Sequence, residues 1–186
     1  MPSRSHTKTR AKRAELTAGI ADILLADGVA EAPLRELAAR LGTSDRMLLY
    51  YFGDKAELIR AVVAELAVRL DAVLSDYRVE GRRPPAEVMA TTAAFMALPG
   101  IFPFRAVWAD ILARGGRGEL PFDDLARALV NGAVASLDSQ LAIDDADERR
   151  RMAGAILAAI EGVWLISMVA PGSTDGAMDI LIGGLA

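Results

Sequence analysis

Helix-forming residues at helical spacing run the length of this chain, and no alternating β-branched run interrupts them. Ala, Leu, Arg and Glu dominate, and these lose little freedom in a helix, so no strand is expected. The breakers then divide the chain. "DG" at 27 and 28 ends a first helix expected from about Thr7 to Ala26, with Leu16, Ile20, Ile23 and Leu24 on one face. Pro33 suits the first turn of a second helix, "LRELAARL", which Gly42 stops. Ser44 is an N-cap for a third helix, and Asp45 sits favourably at its positive end. Asp54 and Glu57 form a capping box for a fourth, which Leu58, Val62, Leu66, Leu70 and Leu74 carry to about Tyr77.

"VEGRRPPAE" (79–87) is polar and proline-rich and reads as a boundary. Helices are expected beyond it at 86–98, within 103–114, and at 121–142, 145–169 and 174–184. "RGGRGELP" (114–121) follows no strand and precedes no Lys-Ser/Thr, so it reads as a loop and not as a phosphate cradle.

Composition removes several chemistries. A hydrophobic share of 53 % argues against disorder. There are no cysteines and His6 is the only histidine, so no disulfide, no His/Cys metal cluster and no Ser-His-Asp triad is expected. No paired carboxylates are placed by a motif either, which leaves no catalytic residue, metal or cofactor to assign. The N-terminal "MPSRSHTKTRAKRAEL" has no apolar core for a signal peptide, so a cytoplasmic protein is expected. "MAGAILAAIEGVWLISMVA" (152–170) follows three arginines and approaches the length of a membrane span. Glu161 near its middle would cost about 3 kcal/mol in a bilayer. A buried helix of a soluble bundle, with no membrane contact, is the expectation.

Charge is uneven. Residues 1–60 carry 10 Lys/Arg against 8 Asp/Glu, and the remainder 11 against 17. Arg4, Lys8, Arg10, Lys12 and Arg13 all precede the first acid, Glu15. A basic arm on an acidic protein suggests a local polyanion site, which could track a DNA backbone or a minor groove.

"GTSDRMLLYYFGDKAEL" (42–58) packs Leu48 to Phe52 without a polar break. Stepping about 100° per residue from Leu48 puts Phe52 and Tyr51 on the same inner stripe. Arg46 and Tyr50 then fall almost opposite, with Met47 and Leu49 beside them. Two helices joined by a glycine turn, the second exposing Arg and Tyr, describe a helix-turn-helix whose outer face would lie in a DNA major groove. An arginine there can bind guanine bidentately, while a tyrosine hydroxyl or Lys55 can hold phosphate.

The run "PLRELAARLGTSDRMLLYYFGDKAEL" (33–58) resembles the TetR family of bacterial repressors, through the helix-turn-helix and the Tyr50, Tyr51, Phe52, Lys55, Leu58 cluster. "ADILLADG" (21–28) is similar to the end of that family's first helix. The resemblance implies an all-α fold: an N-terminal three-helix helix-turn-helix domain and a C-terminal helical ligand-binding and dimerisation bundle. It places the motif at 33–52, the DNA-binding domain at 1–54, a connecting helix at 55–78 and the effector domain at 79–186. DNA contacts are implied at Thr43, Ser44, Asp45, Arg46, Met47, Tyr50, Tyr51 and Lys55. Pro33, Asp45, Met47 and Leu49 depart from residues common in the family. The implied function is a ligand-responsive repressor, binding double-stranded DNA at a palindromic operator as a homodimer. The alternative is an all-α protein-interaction module that does not bind DNA.

Dimerisation is expected from the last two helices, with Leu157, Ile160, Val163, Trp164, Ile180 and Leu181 as candidates, and the same residues fit an internal core equally. "FMALPGIFPFRAVWADILARGG" (95–116) gathers aromatics around two prolines, and such broken helices can wall an apolar pocket. Phe95, Met96, Phe102, Phe104, Arg105, Trp108 and Trp164 are the candidates for a small apolar or amphipathic effector, Arg105 for its anionic group.

Overall fold

The computed structural model describes residues 4–28, 33–75, 77 and 80–185. The side chains of residues 4–7, among them Arg4 and His6 of the basic arm, lie outside what is described, as does Val79 of the expected boundary. Nine α-helices and no strand occur among the described residues: α1 (Arg4–Asp27), α2 (Leu34–Arg40), α3 (Asp45–Phe52), α4 (Lys55–Ser75), α5 (Pro85–Met96), α6 (Phe102–Gly116), α7 (Phe122–Gln140), α8 (Ala146–Val169) and α9 (Ala177–Gly183). A single 3₁₀ turn, Pro99–Ile101, precedes α6. The all-α class therefore stands. The chain from Arg4 onward is a continuation of α1 and not an extended arm.

The helices gather into two compact units. The first is Met1–Asp76 with Phe102–Ala126. Here α1 packs against α3, α4 and α6, and α2 against α3. Leu16, Ile20 and Ala21 on α1 are buried, as are Leu48 and Phe52 on α3, Leu58, Val62 and Leu66 on α4, and Val107 and Ile111 on α6. These are the positions the helical period selects, because only residues three or four apart share a face. Gly19 lets the turn after α2 come close: a Cβ there would lie 2.6 Å from Leu41 Cδ2. Gly115 does the same at the end of α6, where a Cβ would meet Ala126 Cβ at 2.5 Å and the Phe122 carbonyl oxygen at 2.7 Å. The loop beyond it is clasped by Glu119, which accepts from Arg114 Nε and Arg117 Nε at 2.8 Å each. The Arg114 guanidinium also lies 4.1 Å from the centre of the Phe122 ring.

The second unit is Tyr77–Ile101 with Arg127–Ala186. Its core is Val88 and Met89 of α5, Leu137 and Leu141 at the end of α7, and Ala153, Ile156 and Ile160 of α8. Arg83 N–H donates to the Gln140 carbonyl and the Arg83 carbonyl accepts from Ala142 N–H, both at 2.8 Å. Those bonds anchor the segment before α5, which Pro85 opens at a position where a missing N–H costs nothing. Asp145 caps α8 by accepting from Glu148 N–H at 2.7 Å.

One expectation needs correction here, and one open choice is decided. The apolar segment at 152–170 is not a buried helix: α8 buries only Ala153, Ile156 and Ile160, and Leu165, Ile166, Met168 and Val169 are exposed. By length and composition α8 could cross a bilayer, although core helices pass the same measure. Ile160, open to dimer surface or core, lies inside the unit's own core, because it shares the α8 face of Ala153 and Ile156.

Candidate nucleic-acid interface

The second and third helices are joined by a turn in which the Gly42 and Thr43 backbone donors are both used. Gly42 adopts φ +63°, a conformation that glycine takes at no steric cost. That left-handed residue lets Gly42 N–H reach the Ala39 carbonyl at 3.1 Å and Thr43 N–H the Ala38 carbonyl at 2.9 Å, the Schellman ending of a helix. Ser44 follows in extended conformation, and its Oγ accepts from Met47 N–H at 3.2 Å. Asp45 Oδ1 accepts from Arg46 N–H at 2.8 Å. A carboxylate at this end of α3 meets the positive pole of the helix, so Asp45 serves α3 itself.

At the other end, Gly53 turns the chain at φ +86°. Asp54 then caps α4 by accepting from Glu57 N–H at 2.8 Å. The eight residues of α3 are thus held by a cap before and a turn after. Leu48 is fully buried and Phe52 nearly so, with Tyr51 half-buried. Arg46 is exposed, Met47 and Leu49 are exposed beside it, and Tyr50 is 69 % exposed. The Tyr50 and Tyr51 rings meet edge to face, 5.1 Å apart. This contact braces the exposed Tyr50 ring against the half-buried Tyr51 ring.

The cations of that surface differ in whether a carboxylate holds them. Arg46 and Lys55 are exposed and have no ion pair among the described residues. Nearby Arg40 and Arg60 are instead neutralised by Asp27 and Glu57. Arg35, in the first turn of α2, is a third exposed cation of the unpaired kind. Spacing within α3 does not select it. The signal that does is the absence of a carboxylate partner, which depends on tertiary structure.

The seven effector candidates divide between the units. Phe102, Phe104, Arg105 and Trp108 belong to the first, Phe95, Met96 and Trp164 to the second. All seven come together in neither. Phe95 is buried and meets the Tyr77 ring at 5.5 Å, and Met96 packs on the core of its unit. Phe102 is 56 % exposed, whereas Arg105 is only 6 % exposed. The indole N–H of Trp108 is buried without a hydrogen-bond acceptor among the described residues.

Residues 16–62 match the family described as bacterial regulatory proteins, tetR family. No curated protein and no solved structure matched the chain. The matched span takes in the buried face of α1, all of α2 and α3, and α4 as far as Val62. This span gives the chain the helix-turn-helix domain of the family described as bacterial regulatory proteins, tetR family, which supports a DNA-binding transcriptional regulator.

Proposed function

We propose that the protein is a non-enzymatic, cytoplasmic repressor that binds a palindromic operator as a homodimer and releases it when a small ligand binds. The observation that carries the reading is the orientation of α3: Leu48 is buried while Arg46 and Tyr50 face solvent. In a major groove, Arg46 is the base-reading residue, with Met47 available to a thymine methyl. Thr43, Ser44, Tyr50, Tyr51 and Lys55 are assigned to phosphates, and Asp45 to capping the reading helix. These contacts divide specificity from positioning in the way DNA interfaces generally do.

One helix reads only a half-site, and two must lie about 34 Å apart to meet successive grooves. Exposed apolar residues of the second unit support pairing. Leu165, Ile166, Met168 and Val169 end α8 exposed, Val169 at 82 %, and Ile180 at 76 % and Leu181 face solvent on α9. An apolar face of this kind marks an association surface, and a second copy would bury it isologously.

For the ligand, the buried Trp108 indole N–H offers a donor to an oxygen atom, since orphaned buried donors are rare in finished cores. Phe104, Arg105 and Trp108 lie on α6, which packs on α1. A ligand favouring one placement of these helices would shift the population of α1 and α4 arrangements, and with it the spacing of the two reading helices.

The test is selection from a random duplex pool followed by titration and sedimentation. Two chains on a palindrome, with affinity falling steeply in salt, are expected. A monomer that needs detergent to stay in solution would move the apolar face from dimer to bilayer. Capture of protein partners with no DNA retained would favour the interaction-module reading.

A further inference from the structure

Apart from Arg13, the described side-chain cations on α1–α4 fall into two sets. Lys12, Arg40, Arg60 and Arg69 each hold a carboxylate: Glu15, Asp27, Glu57, and Asp22 with Glu65. Lys8, Arg10, Arg35, Arg46 and Lys55 are exposed and have no ion pair among the described residues. A cation beside a carboxylate is neutralised in place, whereas the second set keeps its charge for another partner. Arg35, Arg46 and Lys55 stand in the first turns of α2, α3 and α4, next to the reading surface. Lys8 and Arg10 do not. They lie on the part of α1 that extends beyond the core.

That extension is bound to the reading helix by a specific contact. Taking Ile20 as the centre of the buried face, Arg13 falls about 20° from it by helical rotation. The apolar stripe thus ends in a cation. The Arg13 guanidinium lies over the ring of Phe52, the last residue of α3, at 5.2 Å from its centre. Farther along the axis, Arg10 is about 4.5 Å and Lys8 about 7.5 Å beyond this stack. Between Arg4 and Leu16 there is no apolar residue larger than alanine, and no acid before Glu15. The turn that carries Lys8 and Arg10 thus has no large apolar side chain and no acid of its own.

We propose that the Lys8–Arg10 turn of α1 is a second DNA-contacting surface, a sequence-independent phosphate clamp beside the α3–α4 turn. This rests on the DNA-binding reading above. Because the segment is helical from Arg4, it is about 10–12 Å across, too wide for a minor groove of about 6 Å. It therefore lies on the backbone, where ammonium and guanidinium groups displace condensed counterions and read no bases.

The test is fluorescence anisotropy with two labelled duplexes of about 30 base pairs, one selected by the wild-type protein and one of mixed sequence, over about 50 to 200 mM salt. Lys8→Gln/Arg10→Gln is compared with wild type and with Lys12→Gln, whose charge is already paired to Glu15. The double variant is expected to lower the salt slope by about 1.8, two contacts at about 0.9 each, and to weaken both duplexes by the same factor. Lys12→Gln should keep nearly the full slope, and the single variants about half the loss each. An unchanged slope in the double variant, with wild type still binding, overturns the clamp and leaves the DNA-binding reading intact. A loss confined to the selected duplex overturns its sequence independence. Wild-type protein that binds neither duplex removes the reading and the clamp together.

Discussion

Arg69 on α4 is tied to Asp22 on α1, Nη1 to Oδ1 at 2.5 Å, across 47 residues of chain. The same guanidinium donates from Nε to Glu65 at 2.8 Å and from Nη2 to the Ala18 carbonyl at 3.2 Å. The bond to Asp22 and then that to Glu65 raise the Arg69 pKa above its ordinary value. One side chain thus fixes the pitch of α4 on the helix that also carries the reading domain's core. Arg69→Ala is expected to lower the stability of the first unit by about 1–2 kcal/mol, since this is a three-way charged network and not an isolated surface pair. Asp22→Asn should cost less, because Glu65 and Ala18 remain. Urea denaturation measures both, and an unchanged midpoint for Arg69→Ala would mean that water replaces the network without loss.

Arg46 and Lys55 are assigned different work, so their variants should fail differently. Arg46→Ala is expected to lose about 1–3 kcal/mol on the selected duplex and to narrow its preference over mixed sequence. Lys55→Gln should weaken both duplexes alike and lower the salt slope by about 0.9. Equal losses of preference in the two variants would break the division between reading and positioning.

Two adjacent glycines should respond in opposite directions. A methyl at Gly115 would meet backbone atoms of Phe122, which cannot swing away as a side-chain end would. Gly115→Ala is expected to cost about 1–3 kcal/mol through overpacking. A methyl at Gly116 meets nothing, and Gly116→Ala should be neutral or gain up to about 1 kcal/mol from helix propensity. Thermal unfolding of the two variants decides it, and a stable Gly115→Ala would show that α6 and α7 can separate there.

Glu119 introduces a pH dependence. Hydrogen bonds from Arg114, and then from Arg117, hold its carboxyl below the ordinary value of 4.5. The folded protein then binds the proton more weakly than the unfolded chain does. The contribution is complete above the unfolded value and is lost as pH falls through the folded one. Glu119→Gln should therefore melt below wild type at pH 7. The gap should close progressively as the pH drops below about 4.5. A gap that persisted through acid would place the effect of the substitution elsewhere than in the carboxylate's charge.

The apolar segment at 152–170 shows where reading from sequence reaches its end. Its composition allows a core helix, a membrane span or an association surface, because all three bury apolar groups and differ only in what covers them. In the folded chain Ile160 turns inward while Leu165 and Ile166, only five and six residues on, face solvent. The rotation that separates them is visible in the sequence, but which side meets α5 is not. The aromatic candidates at 95–108 are a similar case. Phe102 and Arg105 stand one helical turn apart with opposite burial, and clustering in the sequence could not distinguish them.

What the chain's own residues decide is local. Helix period, the Ser44 and Asp54 caps, the Gly42 and Gly53 turns, and the orientation of Arg46 opposite Leu48 all depend on residues within about four positions of one another. Periodicity and side-chain hydrogen bonding act over that range. Tertiary structure alone determined that Arg69 reaches Asp22, that Arg13 covers Phe52, that α6 packs with α1, and which cations keep a carboxylate and which do not. Each of those depends on two parts of the chain, distant in sequence, meeting in a particular register. No local preference encodes such a meeting, because its free energy exists only once both surfaces have left water.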